Sequence, residues 1–194
     1  FSNLFGTGGA PLFSIARGQK DRKQAENILH TAFFLLSACS VLLMTIGLLF
    51  ARPVLILFGA SDSALTYAYP YLMIYLLGTF PSMITTGMNP FINAQGYSTT
   101  GMLSVIIGAV SNLVLDPLFI FVFRLGATGA AIATVLSQLF SAVFVLYFLR
   151  KKADYRVRFL TFPEIRACGS CAANIVSLGT AGFIMQLTNS LVSI

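Results

Sequence analysis

The sequence predicts an all-α, polytopic transmembrane helix bundle, and three observations carry that prediction. Of the 194 residues, 57% are hydrophobic and only 9% charged, against roughly 25% charged in soluble domains. No Asp, Glu, Lys or Arg occurs between Asp62 and Asp116, from Leu125 to Leu149, or from Ala167 to the end. Such runs supply the ~20 apolar residues that a helix rising ~1.5 Å per residue needs to cross a hydrocarbon core of about 30 Å. The runs are continuously apolar, without the alternation of barrel strands in segments of ~10 residues, so helices are the structure that satisfies the backbone in lipid.

Taken in order, residues 1–16 form a partial span, complete spans follow at about 28–50, 69–92, 102–123 and 127–149, and a truncated one covers about 175–194. Phe1 and Ile194 both fall inside apolar stretches, so the chain reads as the middle of a longer protein. The first connector carries Arg17, Lys20, Arg22 and Lys23, and the segment 150–174 carries Arg150, Lys151, Lys152, Arg156, Arg158 and Arg166; the opposite side holds only Arg52 and Arg124. This asymmetry places 17–27 and 150–174 in the cytoplasm and makes the chain a multi-pass protein of the inner (plasma) membrane. Residues 93–101 go to the same side by parity, although they hold no basic residue. The net charge of +6 therefore reflects topology and gives no reason to expect a nucleic-acid partner. On the outer side, Pro53 is expected to end one span and Ser61 to cap the turn leading into the next. The brief link around Arg124–Gly126 makes the spans before and after it antiparallel neighbours. The 150–174 segment is the expected boundary between two bundles.

Three consecutive spans carry polar or small stripes at helical spacing. They are Tyr71, Tyr75, Gly78, Ser82, Thr85 and Asn89 on the first, Ser104, Gly108, Asn112 and Asp116 on the second, and Ala130, Thr134, Gln138 and Ser141 on the third. For the serines and glycines, close helix packing accounts for the pattern. Asp116 differs, because a carboxylate at depth costs at least roughly 2.5–3.5 kcal/mol and usually faces a cavity or an ion path. Asn112 lies one turn before it on the same face, Pro117 removes a backbone donor beside it, and Thr134 on the next span lies at the same depth, roughly 10 Å below the outer rim. Three converging oxygen-bearing side chains with one carboxylate suit a hard monovalent cation, or a proton held by the carboxyl.

Weaker signals read as structure. Cys168 and Cys171 have CxxC spacing without a second pair, so an incidental pair is the simpler account, and Cys39 sits in a span. His30, the only histidine, reads as a satisfied interfacial residue. Gly6-Thr-Gly-Gly9 lacks the Lys-Ser of a phosphate loop and reads as a packing surface. One histidine and a single intramembrane acid give little support to an enzyme.

Gly6–Gly9 with Ile15-Ala-Arg-Gly-Gln-Lys-Asp-Arg22, Asn93-Ala-Gln-Gly96, Asn112-Leu-Val-Leu-Asp-Pro-Leu-Phe-Ile-Phe121 and Gly126-Ala-Thr-Gly-Ala-Ala-Ile-Ala-Thr-Val-Leu-Ser-Gln138 resemble, in order, the multidrug and toxic compound extrusion (MATE) family in its prokaryotic, DinF-like branch. The resemblance implies a twelve-helix transporter of two six-helix lobes. Residues 1–149 would be most of the N-terminal lobe, 150–174 the inter-lobe linker and 175–194 the start of the second lobe. It implies cation-coupled (H⁺ or Na⁺) export of organic cations and amphipathic drugs, with no cofactor beyond the coupling ion. The expected partners are a small-molecule drug and membrane lipid, and the full-length protein is expected to be a monomer. The family's ion or proton site falls on Asn112, Asp116 and Thr134, and its cavity positions on Tyr71 and Asn89, with Gln138 beside them on the stripe of the sixth helix. An acidic partner on the first helix would precede Phe1. A lipid-linked precursor flippase of the same wider fold is the alternative, followed by a membrane-embedded enzyme or a channel.

Overall fold

A computed structural model describes residues 1–59, 62–157 and 169–192; Ser61, Arg158, Arg166 and Cys168 lie outside the described residues. Among the described residues the chain is helical without strands, as a polytopic bundle requires. We number the helices α1 (Ser2–Gly18), α2 (Arg22–Leu57), α3 (Asp62–Leu77), α4 (Thr79–Ala94), α5 (Ser98–Pro117), α6 (Gly126–Lys151) and α7 (Gly169–Val192), with a π-helical turn, Leu118–Val122, extending α5. Among the described residues four stretches are long and apolar enough to cross a membrane: Arg22–Leu57, Ser98–Val122, Gly126–Lys151 and Cys171–Asn189.

The helices overrun the apolar runs. Asp21 accepts a hydrogen bond from the Gln24 backbone N–H at 3.0 Å, a side-chain cap that starts α2 six residues before the expected span. At 36 residues this helix is about 54 Å long, well beyond a hydrocarbon core. Pro53 does not end it, contrary to expectation. Its missing N–H removes one bond, but Phe58 N–H donates to the Val54 carbonyl at 3.0 Å and the helix stops only where Gly59 turns to φ +83°. The inner turns are correspondingly brief. Gly96, at φ +91°, lets the Tyr97 N–H reach back to the Ile92 carbonyl at 3.2 Å and close α4. The seventh helix begins at Gly169, so the segment expected to be a truncated span is long enough to cross a membrane.

The expected single span 69–92 is instead two helices, α3 and α4, joined at Gly78. Pro81 offers no N–H to the Leu77 carbonyl, while Gly78 N–H tightens onto the Tyr75 carbonyl at 3.0 Å. Gly78 keeps right-handed angles (φ −70°, ψ −11°), so the joint is a kink within one 62–94 rod. A Cβ there would lie 2.7 Å from Gln138 Oε1 and 2.9 Å from Val135 Cγ2, so the kink seats directly against α6. A second distortion follows Pro117, where Phe123 N–H bonds five residues back to the Leu118 carbonyl at 3.1 Å.

The core lies where α1, α2, α4 and the inner end of α6 meet, with Phe13, Leu29, Leu36, Ile84, Met88, Phe91, Ile92 and Leu149 almost wholly buried. Gly6-Thr-Gly-Gly9 is a packing surface here: Gly6 meets the backbone of Gly87 on α4, Gly8 the backbone of Ile175 and Gly179 on α7, and Gly9 the Phe91 ring. The outer flank of α5 shows Val110, Leu113 and Phe121 exposed, a surface suited to an apolar environment.

Candidate functional site

The site sits on the outer halves of α5 and α6, away from the core. Asn112 and Asp116 share a face of α5, and the brief link to α6 brings Thr134 opposite them. Asn112 Nδ2 lies 3.4 Å from Asp116 Oδ1 and 3.4 Å from Thr134 Oγ1, while Thr134 donates its own hydroxyl proton to the Ala130 carbonyl at 2.9 Å. The threonine therefore presents only lone pairs to the amide, and the carboxylate does the same. Asp116 is half-buried, neither turned wholly outward nor placed in a connector. Among the described residues no three His, Cys, Asp or Glu side chains gather, so a cation in this region would use amide and hydroxyl oxygens beside one carboxylate.

One turn further in, a cavity of about 220 Å³ opens between α4, α5 and α6. It is lined by Ser82, Thr85, Thr86, Val105, Gly108, Ser137, Gln138 and Ser141. Most of its wall surface is apolar, and the polar groups on it are hydroxyls and one amide, with no charge. Thr85 and Ser137 donate to the carbonyls of Pro81 and Thr134 at 3.0 and 2.8 Å, so both turn lone pairs to the space. Thr86 and Ser137 were not singled out from the sequence; Ser137, three residues beyond Thr134, was the readable signal.

The other expected cavity residues are placed differently. Asn89 spends its amide on α5, with Nδ2 at 3.0 Å from both the Gly101 carbonyl and Ser104 Oγ. Ser141 donates to the Ser104 carbonyl at 2.6 Å. Asn89, Ser104 and Ser141 thus form a knot at the inner end of the cavity, and the packing role expected of the two serines holds. Tyr71 lies on α3 with its ring stacked on Tyr75, centroids 5.9 Å apart. Replacing Asn89 with Ala should lower stability by about 1–3 kcal/mol, the net contribution of its two hydrogen bonds at about 0.5–1.5 kcal/mol each; an unchanged thermal midpoint in detergent would remove the knot from the stabilising contacts.

The MatE family model matches residues 1–118. This chain belongs to that family. It is 29% identical over 189 residues to the multidrug export protein MepA of Staphylococcus saprophyticus subsp. saprophyticus, a match covering 95% of this chain and 41% of that protein. Among solved structures it superposes on an outward-facing multidrug resistance MATE family transporter of the MOP superfamily with a TM-score of 0.86 at 26% identity, covering 98% of this chain and 42% of that one. An inward-facing structure of such a transporter gives a TM-score of 0.83 at 26% identity, covering 92% and 40%. This MatE chain thus spans about two fifths of the length of the relatives it matches, and it is a multi-pass membrane protein built as part of the twelve-helix fold.

The positions of the inner turns agree with that topology. Residues of 93–101 lie beside those of the basic segments: Arg17 Nη1 donates to the Ala94 carbonyl at 2.8 Å, and Tyr97 Oη donates to Asp154 Oδ1 at 3.2 Å. That carboxylate holds the Tyr97 phenol above its usual range. His30 Nε2, 3.0 Å from the Arg156 carbonyl, is a satisfied interfacial residue. Cys171 lies half-buried on α7, and Cys168, which completes the incidental CxxC spacing, lies outside the described residues.

Proposed function

We propose that the chain is the ion-handling part of an H⁺- or Na⁺-coupled antiporter that exports organic cations and amphipathic drugs across the plasma membrane. Asp116 is the carboxylate that binds the ion or proton, and Asn112 and Thr134 are its partners. Gln138 lines the drug-facing wall, Asn89 closes its inner end, and Tyr71 on α3 is a further drug contact. No cofactor beyond the coupling ion is required, and the full-length protein acts as a monomer in lipid.

The observation that supports this reading is the position of the Asn112 amide between the carboxylate of Asp116 and the hydroxyl of Thr134. With Nδ2 pointing at both, the amide supplies the positive end that two oxygens call for. Turned over, it offers Oδ1 instead and makes three oxygen ligands around one point, the donor set that suits a hard cation. Protonation of Asp116 gives the same switch by another route, since a neutral carboxyl can donate as well as accept. Either event changes the hydrogen bonding beside the Pro117 distortion, where α5 is least held by its own backbone. Coupling then requires only that ion and drug favour different arrangements.

Drug binding draws on the adjoining cavity. At about 220 Å³ it is smaller than the ~300–1,000 Å³ of drug-sized pockets, so a drug would also touch walls from other parts of the full-length transporter. Its family and its relatives' multidrug export names favour this reading over a flippase, an enzyme or a channel. The test uses the full-length protein in proteoliposomes loaded with a fluorescent cationic dye. Dye should move uphill under an imposed Na⁺ or H⁺ gradient and stop when that gradient is collapsed; movement indifferent to both gradients would overturn ion coupling.

A further inference from the structure

The segment that follows α6 was expected to be linker, yet its first residues are packed into the lobe. Ala153 and Val157 are buried at 4% exposure each and belong to the same core as Phe13 and Phe91. Between them, Asp154, Tyr155 and Arg156 run as a strap across the inner ends of the other helices. Gln95, in the turn after α4 and only 2% exposed, holds Tyr155 by its backbone: Oε1 accepts the Tyr155 N–H at 3.0 Å and Nε2 points back at the Tyr155 carbonyl at 3.5 Å. Tyr97 adds its bond to Asp154 from the same turn. From the other side, α2 reaches over with Arg22 Nη2, 3.4 Å from the Asp154 carbonyl, and His30 Nε2, 3.0 Å from the Arg156 carbonyl. A carbonyl can only accept, so His30 carries its proton on Nε2. The Tyr155 ring is held edge-on by Phe13 of α1, centroids 5.2 Å apart, with the Arg22 guanidinium 5.7 Å from its centroid.

The pattern of attachment is what matters. Successive strap residues are gripped from opposite sides, the α4–α5 turn on one and the starts of α2 and the end of α1 on the other. The inner ends of these helices cannot separate without breaking one set of grips. Apart from the Val157 N–H, which donates to the Leu149 carbonyl of α6 at 3.1 Å, the grips run through side chains, and Asp154 and Arg156 are exposed. Segments held this way open locally more readily than the helices they touch.

We propose that Asp154–Val157 is a clasp, closed in this arrangement, that holds the inner ends of α1, α2 and the α4–α5 turn together and opens when the inner face of the lobe opens. Gln95 is its principal anchor. This use of the clasp in a cycle builds on the exporter reading; its closure on the lobe does not.

The test uses the full-length protein in lipid nanodiscs and in proteoliposomes. Hydrogen exchange at the Tyr155 amide, which Gln95 Oε1 accepts, should accelerate at least tenfold in Gln95→Ala, and less in Tyr97→Phe, with exchange in α5 and α6 unchanged. Unchanged exchange at the Tyr155 amide in Gln95→Ala would overturn the clasp, leaving the strap held by the end of α6 alone. In a background with the native cysteines replaced, Gln95→Cys with Tyr155→Cys is then bridged by a short, reducible thiol crosslinker. Bridging should lower dye transport at least tenfold, and reduction should restore it; full transport by the bridged protein would overturn opening. Amide exchange reads the clasp whether or not dye is carried, so absence of transport before bridging counts against the exporter reading alone.

Discussion

Asp116→Asn in the full-length protein is expected to abolish gradient-driven drug efflux while expression and folding stay as in the wild type. The substitution is nearly isosteric, and an amide at 116 can still meet the Asn112 side chain, so the α5–α6 contact survives. What is lost is the charge and the titrating proton. For a cation about 4 Å away at an effective dielectric near 20, that charge contributes about 4 kcal/mol, which corresponds to roughly a thousandfold in affinity. Proton coupling fails for a simpler reason, since an amide has no proton to exchange across the working pH range. The measurement pairs resistance in a drug-hypersensitive host with the amount of protein in the membrane. Wild-type resistance at normal abundance would leave Asp116 with a structural hydrogen bond and nothing more.

The second large effect concerns the crossing of α1 and α7. Gly8→Leu or Gly179→Leu should collapse the stability of the full-length protein. At this crossing backbone meets backbone: a Cβ on Gly8 would lie 2.7 Å from the Gly179 nitrogen, and one on Gly179 would run into the Leu4 carbonyl. Neither neighbour is the flexible end of a side chain, so the helices themselves must part. Overpacking costs about 1–3 kcal/mol where side chains can adjust, and more is expected where they cannot; the close packing that associates membrane helices is lost as well. Gly18→Leu is the control, since nothing lies within 4 Å of its Cβ position. Thermal stability in detergent, followed by the monodisperse fraction on size exclusion, reads the difference. A wild-type midpoint for Gly8→Leu would mean that the crossing is not held as described.

These two sites differ in how far the sequence disclosed them. Asn112 and Asp116 are four residues apart on one helix, and Thr134 is the same number of residues from a brief turn as Asp116, so their depth and facing could be counted. Hydropathy likewise located the spans, because the hydrocarbon thickness fixes how many apolar residues a crossing requires. It could not locate helix ends. Backbone hydrogen bonding continues through Arg22–Asn27 and past Pro53 into the polar boundary, where hydropathy has no voice. The kink at Gly78 was hidden for a related reason: Pro81 was visible, but its effect depends on Gln138 and Val135 of α6 lying close enough to require a glycine. The strap at Asp154–Val157 was the least legible. It is polar and basic, as a solvated linker would be, and only a buried glutamine sixty residues upstream in sequence distinguishes it. For Gly8 the sequence indicated a packing surface but not the partner, which is a glycine more than a hundred and seventy residues away.

The wide turn at Leu118–Val122 holds one residue more than an ordinary helical turn would. Removing a single amino acid there would restore regular winding and leave the residues beyond it facing as they do now, because the wide turn absorbs the extra residue, while Asp116 upstream stayed where it is. Relatives can therefore lose or gain one position at this spot without disturbing the acid, and their alignments to this chain should tolerate a gap after Pro117 sooner than anywhere between Asn112 and Asp116.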